Sequence, residues 1–326
     1  MIVVTGGAGF IGSAIIWALN KRNFYDILVV DSLKNSDKWK NLVNLKFSDY
    51  EEKENFLRKI ISDDYILKNS VKSIIHMGAC SSTTEQNYSY LIENNYKYSQ
   101  ELCKWCLKNG KNFIYASSAA TYGDGSEGFS DEIDKIENLR PLNMYGYSKH
   151  LFDLWAKRNN LFDKITGLKY FNVFGPNEYH KGDMRSVVHK AFQQINETGK
   201  IKLFKSYRKE FKDGEQLRDF IYIKDAVEMT LYVYEKNLKG LYNIGTGKAR
   251  SFNDIARTIF KILNKEVRIE YIEMPEEIKE KYQYFTEANM KKLVSEAGYN
   301  KKTMSLEEGI EDYLKNYLCQ KDIYLK

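Results

Sequence analysis

The chain has 326 residues, of which 43% are hydrophobic and 29% charged, with a formal net charge of +6. This length and composition suit a folded chain with a full core, as one large domain or two lobes, and exclude a disordered or fibrous one. No apolar run is long enough to span a bilayer, and the basic residues are interspersed with acids, as in Glu51-Glu52-Lys53-Glu54, so neither a membrane nor a nucleic acid is an expected partner; the cationic excess suits anionic small ligands.

The first element carries the strongest local signal. Ile2 to Val4 is a short apolar run of the kind a buried parallel strand shows, and Gly7, Gly9 and Gly12 follow with Gly-x-Gly-x-x-Gly spacing. A helical pattern begins at Ser13. Strand, glycine turn and helix together make a dinucleotide cradle. In this pattern Gly7 permits the tight turn, Gly9 admits a pyrophosphate to the backbone, and Gly12 lets the helix lie close on the strand. The helix N-terminus then offers free N–H groups to phosphate. A second apolar run ends at Asp31, 19 residues after Gly12, where a carboxylate can accept hydrogen bonds from an adenosine ribose. Because the chain enters a strand at once, no signal peptide is expected. Four cysteines imply no disulfide framework, which agrees with a reducing cytoplasm. Cys103-Lys-Trp-Cys106 lacks two further ligands at zinc spacing and reads as buried thiols on a helix; no metal site is expected.

Strands are expected at 2–4, 27–30, 42–46, 73–76, 113–116 and 166–171, and helices at 13–23, 51–62, 89–109 and 144–159. This alternation predicts an α/β fold with a doubly wound parallel sheet of Rossmann type. After residue 171 the texture changes. Pro176 and several glycines mark loops, a helix is expected at 183–196, and a polar stretch fills 205–218. The run 217–223 reads as a strand returning to the main domain, and 267–272 as a further strand. The expected organisation is a dinucleotide-binding domain, 1–171 with 216–245, and a smaller α/β substrate lobe, 172–215 with 246–326. Ligand would lie between them, outside the carboxyl ends of the strands.

Tyr145 and Lys149 stand at i and i+4, on one face of a helix. An ammonium beside a phenol favours phenolate, so Lys149 should lower the Tyr145 pKa toward a range useful for proton transfer. The same lysine can hold a nicotinamide ribose. Tyr232/Lys236 and Tyr317/Lys321 share the spacing by chance; Tyr145 is favoured because it opens a helix that follows a strand ending in Ser117-Ser118. A hydroxyl there, Ser118 or Ser117, could meet a reacting oxygen, although the segment read alone is a serine-rich turn.

Thr5-Gly-Gly-Ala-Gly-Phe-Ile-Gly12, Ser117-Ser-Ala-Ala-Thr-Tyr-Gly123, Tyr145-x-x-x-Lys149 and Phe171-Asn-Val-Phe-Gly-Pro176 together resemble the extended short-chain dehydrogenases/reductases, a superfamily that includes nucleotide-sugar epimerases and dehydratases. Further markers run through the chain. They are Asp26-Ile-Leu-Val-Val-Asp31, Gly78-Ala-Cys-Ser-Ser-Thr-Thr84, Asn94-Asn-Tyr-Lys-Tyr-Ser99, Tyr179-His-Lys-Gly182 and Tyr282-Gln-Tyr-Phe-Thr286. Over nearly its whole length the chain is therefore similar to the ADP-L-glycero-D-manno-heptose 6-epimerase family. The resemblance implies a cytoplasmic isomerase in lipopolysaccharide core precursor synthesis. It would invert C6 of an ADP-heptose by transient oxidation to a 6-keto sugar and return of hydride from tightly bound NADP. It also implies a homo-oligomer, a pentamer in this family.

The resemblance assigns Tyr145 and Lys181 as the two acid/bases, with Lys149 and Ser118 beside them. Without it, Lys181 reads as a surface lysine or a phosphate contact. It assigns cofactor contacts to Gly7, Gly9, Phe10, Ile11, Gly12, Asp31, Ser32, Lys38, Lys53, Met77, Gly78, Ala79, Cys80, Ser81, Asn94, Lys149, Val173 and Lys181. Asp31 alone would favour NAD over a 2′-phosphate; Lys34 and Lys38 can offset its charge, so NADP is expected, with NAD the alternative. Substrate contacts match at Asn172, Arg218 and Tyr282; a guanidinium can grip a diphosphate with paired hydrogen bonds. Departures from the family pattern fall at Asp183, at Lys190, in Phe204-Lys205-Ser206-Tyr207 and in a longer loop to Arg218. These positions are expected to line the nucleotide–sugar pocket. The other readings are a related epimerase or dehydratase acting on another sugar nucleotide, and a non-catalytic NAD(P)-sensing protein. Ala119-Ala-Thr-Tyr122, where a dehydratase carries an Asp-Glu pair, argues against a dehydratase; retention of Tyr145 and Lys149 argues against the sensing protein.

Overall fold

The computed structural model describes residues 1–279 and 282–326. In chain order the strands are β1 (Ile2–Thr5), β2 (Ile27–Asp31), β3 (Asp49–Glu52), β4 (Ser73–His76), β5 (Asn112–Ser118), β6 (Thr166–Tyr170), β7 (Asn172–Phe174), β8 (Ile201–Phe204), β9 (Leu217–Tyr222), β10 (Gly240–Ile244), β11 (Ala249–Ser251) and β12 (Ile269–Ile272). The helices are α1 (Phe10–Lys21), α2 (Lys53–Ile61), α3 (Tyr65–Ser70), α4 (Tyr88–Leu91), α5 (Tyr98–Lys108), α6 (Met144–Arg158), α7 (Val187–Thr198), α8 (Ile223–Glu235), α9 (Phe252–Ile262), α10 (Glu276–Lys279) and α11 (Leu306–Tyr313). No described helix is long and apolar enough to cross a membrane.

Seven strands form one sheet in the order β10-β6-β5-β4-β1-β2-β3, and every pairing in it is parallel. Chain direction around β1 explains the apolar runs. Val3 faces a core with Leu28, Ile74, Phe113 and Phe152, while Val4 faces another with Val29, Ile15 and Ile16. A sheet covered on both faces needs apolar side chains at successive positions, and each fully buried Val or Ile contributes about 1.5–3 kcal/mol. Strand order reverses at β1, whose neighbours are β2 and β4. The carboxyl-end loops of β1, β4 and β5 open onto the crevice that this reversal creates.

Three expectations are corrected. Segment 42–46 is not a strand; Leu42 ends a 3-10 turn, Asp37–Leu42, and the third strand of the sheet is β3. The turn is held by Ser36, which accepts from the Lys38 N–H, and by Asn41, which donates to the carbonyls of Ala8 (2.9 Å) and Asn177 (3.0 Å). Run 217–222 is a strand, but it joins β7 and β11 in a three-stranded sheet instead of entering the main one; the last main strand is β10. The helical stretch expected at 89–109 is α4 and α5 joined by a π-turn, Ile92–Lys97. Strand β12 pairs with β8, and α7, α9 and α11 complete this second part of the molecule.

The glycine turn also differs from expectation in which residue does what. Gly6, with φ +64°, takes the left-handed conformation, and a Cβ on it would lie 2.6 Å from the Gly78 nitrogen. At Gly12 a Cβ would lie 2.1 Å from the Gly6 carbonyl oxygen. The turn, α1 and the β4 loop thus touch backbone to backbone. Gly12→Ala is expected to destabilise the fold by about 2 kcal/mol or more, because the obstacle is backbone and cannot swing away. Urea unfolding checks this; an unchanged midpoint would mean that α1 can slide off the turn.

Candidate active site

The cradle begins where α1 starts. Gly9 is its N-cap residue and supplies no side-chain cap, so the N–H groups of Phe10 and Ile11 face a cavity of about 300 Å³. Asp31 closes the other side of the turn. One carboxylate oxygen accepts from Ala8 N at 2.9 Å; the other accepts from Ser32 N at 2.7 Å and pairs with Lys38 Nζ at 2.6 Å. Asp31 is therefore already occupied as a brace for the glycine turn and is electrically balanced by a lysine. An adjoining cavity of about 250 Å³ is lined by Asp31, Ser32, Lys38, Lys53, Gly78, Ala79 and Asn94, all expected, and by Lys34, Ser36, Tyr90 and Tyr98. Lys53 Nζ donates to Asn94 Oδ1 at 2.7 Å. Narrow glycine backbone at Gly6, Gly9, Gly12 and Gly78, free helix N–H groups and three lysines fit a dinucleotide with its phosphates.

The 300 Å³ cavity gathers the reacting candidates. Gly9, Phe10, Ile11, Gly12, Met77, Gly78, Ala79, Ser81, Ser118, Tyr145, Lys149, Val173 and Lys181 all line it. Cys80 does not; its N–H donates to Asn95 Oδ1 at 2.8 Å. Asn95 was missed by the sequence reading. It sits in the π-turn, and its Nδ2 donates to the Cys80 carbonyl and to Ser148 Oγ, both at 3.0 Å, which pins the β4 loop to α6 beside Lys149. It falls inside the Asn94–Ser99 marker, in which the sequence points to Asn94; the π-turn is the structural feature that marks Asn95.

Asn143 fixes the start of α6 by accepting from Gly146 N at 2.8 Å, and so sets the position of Tyr145 one turn before Lys149. Lys149 Nζ donates to the Ala116 carbonyl at 2.8 Å, leaving ammonium protons for the cavity. Burial pulls Lys149 down to about 8, with the Asp153 carboxylate opposing. Burial raises the Tyr145 phenol, and a hydrogen bond with Ser118 opposes that. The expected lowering of Tyr145 by Lys149 is thus not what the structure gives: desolvation is the larger effect on both groups. Both serines line the cavity, but Ser117 Oγ donates to Asp153 Oδ2 at 2.8 Å, whereas Ser118 Oγ accepts from Ala120 N at 3.1 Å.

Lys181 lies in a 3-10 turn, Tyr179–Met184. Its Nζ sits 5.4 Å from the centre of the Phe10 ring, and burial lowers its pKa against the pull of the Glu178 carboxylate. It is not a solvated surface lysine. Glu178, also missed from sequence, is buried and accepts from Ser186 Oγ at 2.7 Å and from the Ser186 N–H; Ser186 in turn caps α7. Lys181 opens as well onto a larger cavity of about 590 Å³, where Asn172, Lys190, Phe204, Arg218 and Tyr282 are brought together as expected. Arg218 lies under Tyr282, 5.0 Å from its ring centre, and 5.8 Å from that of Phe252.

Four expected substrate contacts lie elsewhere. Asp183 is exposed and off the cavity wall. Lys205 pairs with Glu273 at 2.6 Å, Ser206 N donates to Asp213 at 2.7 Å, and the Tyr207 hydroxyl donates to Glu273. These contacts turn 205–207 outward. Gln216, buried beneath the same loop, and Gln194 line the cavity in their place. Among the described residues no group of three or more potential metal ligands occurs.

Comparison with known proteins bears directly on this arrangement. Residues 2–245 match the NAD dependent epimerase/dehydratase family. The chain is 51% identical over 326 residues, the whole of both chains, to the ADP-L-glycero-D-manno-heptose-6-epimerase of Nitratidesulfovibrio vulgaris. Among solved structures it is similar to the ADP-L-glycero-D-manno-heptose-6-epimerase of Helicobacter pylori, with a TM-score of 0.80, 28% identity, and coverage of 97% of this chain and 95% of that one. It is also similar to the UDP-glucuronic acid 4-epimerase of Bacillus cereus in complex with UDP-glucuronic acid and NAD, with a TM-score of 0.76, 27% identity, and coverage of 97% and 99%.

The Lys149 geometry has a direct chemical readout. Only the free amine attacks an acylating reagent, so the labelling rate of Lys149 should rise with a midpoint near pH 8, whereas exposed lysines follow their ordinary value of about 10.4. Peptide mass spectrometry after brief acetic anhydride pulses across pH 6–11 measures it; a midpoint shared with the surface lysines contradicts the buried placement.

Proposed function

The chain belongs to the NAD dependent epimerase/dehydratase family, and from that premise we propose that it is an isomerase that inverts C6 of an ADP-heptose, converting ADP-D-glycero-D-manno-heptose to ADP-L-glycero-D-manno-heptose for lipopolysaccharide core precursors. Its curated relatives carry this activity in their names. One observation carries the mechanism: Tyr145 and Lys181, two desolvated proton-carrying groups on different elements, open onto one cavity.

The resident cofactor is a nicotinamide dinucleotide. Phe10 and Ile11 N–H groups and the glycine turn would hold its phosphates, and Lys149 its nicotinamide ribose. When bound it supplies a hydride acceptor that becomes the donor for the return step. NADP is favoured over NAD by the second cavity. Asp31 is engaged by Ala8, Ser32 and Lys38, and Lys34, Lys38 and Lys53 surround the space where a 2′-phosphate would lie.

The remaining work belongs to side chains. Arg218 and Tyr282 would hold the diphosphate end of the substrate, while Asn172 and Lys181 lie toward the sugar. Inversion requires a planar C6 ketone to present its other face before hydride returns. Its oxygen then points in a different direction and meets a different proton carrier. Tyr145, with Ser118 on the same cavity wall, serves one orientation; Lys181 serves the other. In this reading the cofactor lobe is 1–171 with 216–245 and the substrate lobe 172–215 with 246–326.

Tyr145→Phe and Lys181→Met are each expected to reduce turnover by about 10²–10⁴-fold while cofactor stays bound. The assay incubates purified protein with either C6 epimer of ADP-heptose, without added cofactor, and follows the second epimer by NMR. Normal turnover in either variant would overturn the two-group mechanism. Faster conversion of GDP- or UDP-sugars than of ADP-heptose would overturn the substrate.

A further inference from the structure

Beneath the reacting groups lies a second charged assembly, whose ion pair does not line the cavity although Ser117, bonded to it, does. Asp153 and Lys169 are both 0% exposed and pair at 3.0 Å. The carboxylate also accepts from Tyr115 Oη at 2.7 Å and from Ser117 Oγ at 2.8 Å. The ammonium donates to Thr121 Oγ1 at 2.5 Å and lies 4.6 Å from the centre of the Tyr122 ring. Ionic groups buried at this depth cost desolvation that their attraction barely offsets, so such a pair is weak as a stabilising device. Its position suggests another use. Tyr145, Lys149 and Asp153 follow one another at i, i+4 and i+8 along one face of α6. Ser117, which Asp153 grips, lies between Ala116, whose carbonyl receives Lys149, and Ser118, which lines the cavity with Tyr145.

We propose that the Asp153–Lys169 pair is a positioning unit for the reacting centre. Through Ser117 it ties the end of β5 to α6, and it places the Asp153 carboxylate one turn along α6 from Lys149. The ammonium of Lys149 is thereby kept protonated and aimed. The other groups around Lys149 do not replace this charge. Tyr145 shares its helix, His76 ends β4 with its pKa lowered to about 3 and so remains neutral, and Cys80 in the following loop is raised by burial. Lys169, from β6, divides the carboxylate's attraction and so sets how much of it Lys149 feels. The inference rests on the proposed roles of Tyr145 and Lys149.

Two variants separate this role from a packing role. Asp153→Asn with Lys169→Met removes both charges together and leaves no unpaired ion. Lys169→Met alone leaves the carboxylate to Lys149. The pH dependence of kcat/KM, measured on the cofactor-loaded enzyme, should then shift in opposite directions. In the double variant the alkaline limb moves down by about one unit or more, with activity at pH 8 reduced ~10-fold and activity at pH 6.5 within ~3-fold of the parent. In the single variant the limb moves up. Thermal melting verifies that each is folded. Limbs that stay in place, or equal losses at every pH in both variants, would reduce the pair to packing and overturn the proposal. Tyr145→Phe is run alongside: if it turns over normally the underlying mechanism fails, whereas an inactive Tyr145→Phe with unmoved limbs condemns the positioning unit alone.

Discussion

Where β1 turns into α1, three stretches of backbone meet with no room for a Cβ. Gly6 touches the β4 loop at Gly78, and Gly12 lies on the Gly6 carbonyl. Everything about the site follows from this closeness. It brings the α1 N-terminus to the carboxyl edge of the sheet, so the free N–H groups and the helix dipole point into the cavity instead of into water. It also sets the distance across which Asp31 reaches Ala8 N and Asn41 reaches the Ala8 carbonyl. Through Asn41 the same turn is joined to Asn177, and so to the segment that carries Lys181. The proposed phosphate cradle and Lys181, the more distant of the two proposed acid/base groups, are parts of one braced unit.

The second constraint is the desolvation of cations. Lys149, Lys169 and Lys181 are removed from water close together, yet each has a carboxylate acting on it: Asp153 for the first two, Glu178 for the third. The carboxylates are themselves held by hydroxyl and amide donors, namely Tyr115, Ser117, Gly175 and Ser186. A buried ammonium without such a neighbour would lose its proton. With one, the fall is opposed: burial lowers Lys149, to about 8, against Asp153, and lowers Lys181 against Glu178.

The main sheet was legible because its signal is local. Buried parallel strands read as unbroken apolar runs, and a glycine turn between strand and helix leaves a fixed spacing. Tyr145 and Lys149 were legible for the same reason. Misreadings arose where distant contacts decide. Segment 42–46 has strand-like composition, but Asn41 binds Ala8 and Asn177 and holds the preceding residues in a 3-10 turn. Residues 205–207 face outward because Glu273, 68 residues beyond Lys205, takes both Lys205 and Tyr207. Asn95, Glu178 and Gln216 act through partners that only the folded chain supplies. The depressed pKa of Lys181 is another case: exposed lysine is the default for a loop, and only the Phe10 ring and the packing around Glu178 remove it from water.

The supports of the two proposed proton carriers differ in kind, and the difference suits inversion. Tyr145 stands on a capped helix whose position is fixed by Asn143 and by the Asn95 link to the β4 loop. Lys181 stands on a single 3-10 turn that reverses at Gly182, with φ +53° and open space around its α-carbon. A rigid helix holds one group in a constant relation to the nicotinamide side of the cleft. In the proposed mechanism a short turn anchored at Glu178 and Ser186 would let the longer, more flexible lysine meet an oxygen whose direction changes as the sugar presents its other face. Because Lys181 borders both the 300 Å³ and the 590 Å³ cavities, it is placed where a rotating sugar, tethered by its diphosphate at Arg218, would swing. Fixing the nucleotide end while leaving the reacting end free to turn is what a two-faced redox cycle within one bound molecule requires.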